Sequence, residues 1–320
     1  MIPECVFHEV IPLMAGNKLR NFAQKRRVGE LIFYCCLIAL PLLQFVIMYV
    51  VVNINSILLA FKKYDVKLDG SATVAWVGLA NFKKFAREIF QTEMLVRLKN
   101  SLIVYGCSLF VGTVLALLFS YYIYKSYRAS GFFRYMLMMP SFMSPVVMVL
   151  IFNYVIEYAL PGIFHIQSLF DGPPLQKLMV VTLYNTLIGF GSGVLMYSNA
   201  MSRVPIGLIE YGKLEGITPL REFVSVILPL IYPTLETFLI IGIAAIFTNQ
   251  ANLFTFYGEN APYSIQTIGY WLYKEVFTGK SSMAQFPYLS AAGLVLTAIT
   301  IPVVMTARHF LNKLDKGVEF

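Results

Sequence analysis

The sequence predicts an all-α, polytopic membrane protein with six transmembrane helices. Hydrophobic residues make up 58% of its 320 positions and charged residues only 13%, whereas a soluble domain carries about 25% charged residues. The apolar residues also fall into blocks of roughly 20 or more, the length that crosses a ~30 Å hydrocarbon core. Polar segments with turn-forming residues separate these blocks, so the chain is expected to cross the membrane repeatedly.

The first apolar block follows a basic tail. Residues 1–30 include Lys25-Arg26-Arg27, and the apolar run from Leu31 to Ala60 follows directly. This run is about twice as long as the apolar region of a secretory signal peptide, and no small-residue cleavage site follows it. We therefore expect an uncleaved first helix whose N-terminal tail lies in the cytoplasm.

Five further blocks complete the predicted spans. A mixed polar segment, 62–99, precedes the second span, and an amphipathic stretch, 265–277, precedes the sixth. The chain is thus divided into a cytoplasmic tail, 1–30, a transmembrane domain, 31–310, and a cytoplasmic C-terminal tail, 311–320. The further predicted spans are 100–124, 135–158 (with Pro140 and Pro145), 178–198, 227–254 and 287–306.

The distribution of lysine and arginine predicts the orientation, because these residues are enriched in short cytoplasmic loops. The loop 125–134 is basic and contains no acid, the N-terminal tail carries a basic run, and Arg308, Lys313 and Lys316 follow the last span. The segment 62–99 is also rich in lysine and arginine and departs from the rule. We place both termini in the cytoplasm.

Composition argues against several functional classes. The net charge of +8 is spread over loops and not gathered into a stripe with stacking aromatics, so it favours contact with anionic lipid and not with nucleic acid. No metal-ligand spacing, disulfide framework, catalytic set or phosphate-binding G-x-x-x-x-G-K-S/T motif is present in the sequence. The cysteines and histidines of the chain, none of which has the spacing of a disulfide framework or a metal site, are Cys5, Cys35, Cys36, Cys107, His8, His165 and His309.

A charged island separates the fourth and fifth spans. Pro205 suits the start of a helix, and residues 209–214 can form a short helix with Glu210 near its positive end. Gly216 can adopt a left-handed conformation that ends this helix, and Pro219 can begin another. Such a segment must lie at the membrane surface, because intramembrane charges are costly. Its charged residues are Arg203, Glu210, Lys213, Glu215, Arg221 and Glu222.

The island resembles the EAA motif of importer-type ABC permeases, E-A-A-x-x-D-G-A followed by I-x-L-P. Glu210 matches the first acid, Glu215-Gly216 stands at D-G, and Val226-Ile-Leu-Pro229 closes at the right distance, while Tyr211 and Gly212 replace the two alanines and Ile217 the last one. The similarity covers about 70–320 and is strongest to sugar-importing permeases of the maltose, glycerol-phosphate and multiple-sugar kind. Further matching markers are Trp76-Val-Gly-Leu-Ala-Asn-Phe82, Lys99-Asn100-Ser-Leu, Phe132-Phe-Arg134 through Pro140, Val204-Pro205, Gly258-Glu-Asn-Ala-Pro262 and Ser290-Ala-Ala-Gly293.

This resemblance implies a non-catalytic permease of the type I importer fold in the bacterial plasma (inner) membrane. Its implied partners are a second homologous permease, a cytoplasmic ABC ATPase dimer and an extracellular or periplasmic sugar-binding protein. No cofactor is expected in this chain, because ATP and Mg²⁺ would be bound by the ATPase. The loop at about 203–229 would couple to that ATPase through Glu210, Gly212, Glu215 and Gly216.

Polar residues within the fourth and fifth spans are candidates for contact with cargo, because such residues are costly in lipid and usually face a cavity or a partner. By their distance from the motifs, Gly189, Ser192, Asn249 and Gln250 resemble sugar-contacting positions of the maltose permease. Close helix packing remains an alternative for the glycines of 189–193, and inter-subunit hydrogen bonding for 249–250. Glu236 could pair with a partner's lysine or face a cytoplasmic vestibule.

Two other classes of protein compete with this interpretation. A secondary transporter or channel for a small polar solute also has several spans, but typically shows an ion relay or a repeat between halves. The candidate intramembrane acid here is Glu236, and no repeat is evident. A membrane enzyme would need clustered ligands or a nucleophile with its base.

Overall fold

The computed structural model describes residues 16–66, 72–278 and 283–314. The chain divides into two units near Leu58. In the first unit, α1 (Gly16–Phe45) continues through a π-helical turn (Val46–Val51) into α2 (Val52–Leu59). The section Glu30–Leu59 is long and apolar enough to cross a membrane, in agreement with the predicted first span. Parts of both predicted tails, 1–15 and 315–320, lie outside the described residues.

The described residues of the second unit form helices, connecting loops and one small hairpin. Its strands are β1 (Lys62–Val66) and β2 (Ala72–Trp76), and π-helical turns at Val155–Ala159 and Phe223–Ile227 join neighbouring helices. The helices are α3 (Ala80–Glu88), α4 (Thr92–Tyr124), α5 (Ser130–Phe142), α6 (Pro145–Tyr154), α7 (Leu160–Phe164), α8 (Pro174–Met201), α9 (Ile206–Leu214), α10 (Pro219–Glu222), α11 (Leu228–Leu230), α12 (Tyr232–Ala244), α13 (Leu253–Tyr257), α14 (Ile268–Thr278) and α15 (Phe286–Leu314).

Across the described residues, five helical sections are long and apolar enough to span a membrane, and a bent pair makes a sixth if it counts as one span. The bent pair is Pro219–Leu230 with Tyr232–Ala244, which meet at 72°. The prediction of an all-α protein with six spans is therefore confirmed. The five sections are Glu30–Leu59, Thr92–Tyr124, Pro145–Phe164, Pro174–Met201 and Phe286–Leu314.

Two predicted spans have the wrong bounds. The third, 135–158, is broken after α5, because Ser144 precedes Pro145 and adopts an extended backbone (ψ 132°), and the apolar span starts only at Pro145. The fifth, 227–254, bends at Ile231 and loses its helix after Ala244. Pro233 lacks the N–H that would continue the helical hydrogen bonds across this bend.

The hairpin is a feature that the sequence interpretation missed. It lies in the segment 62–99, and its antiparallel register pairs Lys62 with Trp76 and Tyr64 with Val74. The side chain of Asn81 fixes its base by donating to the carbonyls of Ala60 and Lys62, both at 2.8 Å. The asparagine of the family-like Trp76–Phe82 segment therefore joins two parts of this unit.

The centre of the second unit is the packing of α4 along α8. Gly193 makes this approach close, since a Cβ there would lie 3.1 Å from Cβ of Ala116. On the other face of α8, a Cβ at Gly191 would lie 2.2 Å from the backbone oxygen of Leu137 in α5. Two glycines of the predicted 189–193 group thus allow close helix packing, as the alternative interpretation proposed.

Candidate functional site

The charged island folds as a short helix, α9, that rests on an apolar base. Ile209 and Gly212 are buried on one side of α9, whereas Leu214 is 88% exposed. The base is shared with α4, α8 and the segment after the helix. Its buried residues are Ala116, Leu117, Ile123, Val194, Tyr197, Met201, Val204, Ile209, Phe223, Ile227, Ile231 and Leu235.

The end of α9 forms a Schellman motif around Gly216. Gly216 has φ +70°, and its amide donates to the carbonyl of Lys213 at 3.1 Å. The amide of Ile217 donates to the carbonyl of Gly212, also at 3.1 Å, which completes the pair of bonds that defines this motif. Gly216 thus has the left-handed conformation expected from the sequence.

The position expected for Glu210 within the helix is wrong. α9 begins at Ile206 and not at 209, so Glu210 lies in its second turn and not at the positive end. Its side chain is exposed beside Tyr211, which is 62% exposed. A hydrogen bond between Tyr211 and Glu215 raises the pKa of the tyrosine above its ordinary value. Both acids of the EAA-like motif are therefore accessible, Glu210 on α9 and Glu215 at its C-terminal cap.

Gly212 stands where the EAA pattern has alanine, and the structure has room for that alanine. A Cβ at this position would make an ordinary contact, 3.5 Å, with Cδ1 of Ile217. Glycine inside a helix is less stable than alanine by roughly 0.5–1 kcal/mol. We therefore expect Gly212→Ala to raise the thermal midpoint of the purified protein slightly, whereas Gly216→Ala, at positive φ, should lower it. A lower midpoint for Gly212→Ala would contradict this packing.

Two adjoining cavities lie beside α4 and α8. One of about 280 Å³ is lined by Gly189 and Ser192, and one of about 200 Å³ by Gly189 and Asn249. The two share four lining residues, Tyr105, Ser108, Asn185 and Gly189. Hydroxyl, amide and aromatic groups therefore meet in one continuous region, the combination that suits a hydroxylated solute.

The second cavity is bounded by irregular backbone between α12 and α13. Ala251 and Asn252 both have positive φ, 53° and 56°. Asn185 holds this turn, since its Nδ2 donates to the carbonyl of Ala251 at 2.9 Å and its Oδ1 accepts from Asn252 at 2.8 Å. Gly269 lies against the same turn, where a Cβ would come 2.3 Å from the oxygen of Asn249. Non-helical backbone at membrane depth is tolerated where protein or a cavity surrounds it.

Three of the four residues proposed to touch cargo line these cavities, and the fourth does not. Gly189, Ser192 and Asn249 are lining residues, and Oδ1 of Asn249 also accepts from the amide of Ala251 at 2.8 Å. Gln250 lines neither cavity, and its Oε1 is buried without a hydrogen-bond partner. The structure therefore places the first three residues along the cavities, whereas Gln250, the chain neighbour of Asn249, lines neither of them.

The sequence interpretation missed the contribution of α4 to the cavities. Tyr105, Ser108, Gly112 and Thr113 recur at helical spacing, and all four line the larger cavity. This i, i+3, i+7, i+8 pattern of small and polar residues in an apolar span was the available signal.

Glu236 has a partner within its own chain, which neither earlier alternative anticipated. The side-chain amide of Asn312, with its nitrogen turned toward Glu236, donates to the carboxylate. The hydroxyl of Tyr232 donates to the carbonyl of Leu311 at 2.8 Å. The end of α15 is thus attached to α12 just beyond the 72° bend.

The fold and the cavities define the class of protein, a multi-pass membrane permease. The family model of binding-protein-dependent transport system inner membrane components matches residues 108–319. The chain belongs to this family, whose members are non-catalytic permease components of ABC importers. The identification made from the EAA-like motif and its ordered markers is thereby confirmed.

Individual relatives agree with the family assignment. The chain is 25% identical over 235 residues to the sn-glycerol-3-phosphate transport system permease protein UgpA of Pectobacterium atrosepticum, covering 70% of this chain and 78% of the relative. The crystal structure of a bacterial ABC transporter involved in the import of the acidic polysaccharide alginate matches with a TM-score of 0.73 and 19% identity, covering 93% of this chain and 100% of that one. Another, of a bacterial alginate ABC transporter in complex with an alginate pentasaccharide-bound periplasmic protein, matches with a TM-score of 0.73 and 18% identity. The structural likeness shows the fold.

Proposed function

We propose that this chain is one of two homologous permease subunits of an ATP-driven carbohydrate importer. In this proposal α9 docks on a cytoplasmic ATPase dimer that binds ATP and Mg²⁺, and an external binding protein delivers the sugar. The cavities beside α4 and α8 form this subunit's part of the translocation pathway. Both termini then lie in the cytoplasm, on the side of α9.

The observation that carries this proposal is the two-sided character of α9. Ile209 and Gly212 attach one side to the apolar base, while Glu210 and Leu214 remain exposed on a helix too short to span the membrane. Exposed apolar and acidic side chains on a firmly attached helix suit insertion into a cleft of a soluble partner. The base of the helix is shared with α4 and α8, so a movement of α9 can reach the helices beside the cavities.

The proposed carbohydrate cargo is supported by the chemistry of the cavities and by the relatives. Tyr105, Ser108, Asn185 and Asn249 offer hydroxyl and amide groups beside aromatic surface. Such groups match both the hydroxyls and the apolar faces of a sugar. The cargoes named for the relatives, sn-glycerol-3-phosphate and alginate, also bear free hydroxyl groups. We assign Gly189, Ser192 and Asn249 to this side of the pathway.

The coupling role of α9 is tested by Glu210→Ala in the complete importer reconstituted into vesicles. We expect the subunits to co-purify, while sugar-stimulated ATP hydrolysis and sugar uptake fall about tenfold, within the usual range for coupling between distant sites. The loss follows because Glu210 would contact a basic residue of the ATPase. Glu259→Ala, which removes another exposed carboxylate, is the matched control.

Unchanged uptake and ATP hydrolysis in Glu210→Ala would contradict the coupling role. Uptake by the purified chain alone, without an ATPase and without ATP, would indicate a secondary transporter or channel instead.

A further inference from the structure

A buried ion pair joins the end of α4 to the segment that follows α9. Lys125 is the first residue after α4, and Glu222 is the last residue of α10. Lys125 Nζ lies 2.5 Å from Glu222 Oε1, and the two side chains are 15% and 6% exposed. Taking two charges out of water is costly unless each compensates the other, so each residue requires its partner.

Tyr121 strengthens this junction from the preceding turn of α4. Its hydroxyl donates to the carbonyl of Pro219 at 3.0 Å, and its ring lies 5.0 Å from the ring of Phe223. Lys125 Nζ also lies 5.8 Å from the centre of the Tyr121 ring. The end of α4 therefore contacts the segment after α9 at Pro219, Glu222 and Phe223.

From this junction α4 runs directly to the cavities. It is a continuous helix from Thr92 to Tyr124 and carries the lining residues Ser108 and Gly112. The route along the chain itself is interrupted, because it passes the 72° bend before α12 and then the irregular backbone around Ala251. Packed side chains and rigid elements transmit displacement, so α4 is the more direct mechanical route.

We propose that Lys125 and Glu222 form a positioning pair that transfers displacement of α9 to α4, and thereby to the wall of the cargo cavities. The inference rests on the proposed function and adds the residues that carry its movement. Both side chains are largely buried, and neither residue lines the cavities. A buried ion pair holds two particular charged groups against each other, because separating them would leave each charge uncompensated. This pair therefore fixes the position of α10 on α4, whereas apolar contacts alone allow sliding.

The test measures sugar molecules imported per ATP hydrolysed by the complete importer in vesicles. We expect Glu222→Gln and Lys125→Met each to lower this ratio about tenfold, within the usual range of coupling between sites, while ATP hydrolysis continues. The double variant Lys125→Met/Glu222→Leu guards against misfolding, because apolar replacement of a buried pair often preserves stability. It should assemble normally and still show the lowered ratio.

Exchanging the charges in Lys125→Glu/Glu222→Lys should recover part of the ratio of sugar imported to ATP hydrolysed. Glu259→Gln, which changes an exposed carboxylate, is the surface control.

Two results would overturn the positioning role. One is a double apolar variant that imports as many sugar molecules per ATP as the wild type. The other is a set of variants in which assembly, ATP hydrolysis and uptake fall in parallel, as expected of a purely structural pair. After either result, the proposed function still stands if the wild-type importer couples sugar uptake to ATP hydrolysis. A wild-type complex that neither binds the ATPase nor imports sugar contradicts the proposed function, and this role with it.

Discussion

Gly191→Ala is expected to destabilise the protein, because the added methyl group would meet backbone and not a movable side chain. A Cβ at this position would lie 2.2 Å from the carbonyl oxygen of Leu137, so α5 and α8 would have to separate. Overpacking of a closely packed contact costs about 1–3 kcal/mol. A lowered thermal midpoint of the purified permease in detergent is the measurement that checks it.

Gly189→Ala is the matched control, two residues away on the same helix. A Cβ there has no atom within 4 Å, and alanine favours the helix over glycine. We expect its thermal midpoint to equal or slightly exceed that of the wild type. Equal midpoints for the two variants would show that α5 and α8 do not approach as closely as described.

Asn185→Ala is expected to loosen the irregular turn beside the smaller cavity. The substitution removes the bond to the Ala251 carbonyl and the bond from Asn252. Leaving buried polar groups without partners costs about 1–3 kcal/mol, and both turn residues have positive φ, which only surrounding contacts maintain. Because Asn249 belongs to this turn, apparent affinity for sugar should also fall, by about tenfold if 1.4 kcal/mol of binding free energy is lost.

The measurements are the sugar concentration for half-maximal uptake by the importer in vesicles and the thermal midpoint of the permease. Asn199→Ala is a suitable control, because Asn199 is an exposed asparagine on the same helix. Wild-type apparent affinity in Asn185→Ala would show that the turn does not depend on this side chain.

The EAA-like loop was largely predictable, because its determinants are local. Pro205 and Gly216 delimit a helix through their own backbone preferences, and charge keeps the segment out of lipid. The misplaced detail, Glu210 at the positive end, arose because the helix starts at Ile206. The burial of Ile209 against α4 and α8 secures the first turn, and that contact is not local.

The cavity was only partly predictable. Polar residues in spans marked Gly189, Ser192 and Asn249 as candidates, and also Gln250, which directly follows Asn249 but lines neither cavity. Whether a polar side chain faces a cavity depends on how its helix is rotated against its neighbours. The contribution of α4 was not predicted, because the helical recurrence of Tyr105, Ser108, Gly112 and Thr113 shows a shared face but not what that face meets.

The sequence by itself determined the class of structure, the number of spans and the family, since hydropathy, turn residues and the ordered motif act over short distances. Tertiary structure decided which residues meet. Tyr121 and Pro219, 98 residues apart, come into contact only when α4 packs against the loop, and the pairing of Lys125 with Glu222 depends on the same packing. Tertiary contacts also decided the break in the fifth span and the formation of the hairpin, because contacts between distant segments determine where backbone hydrogen bonds form.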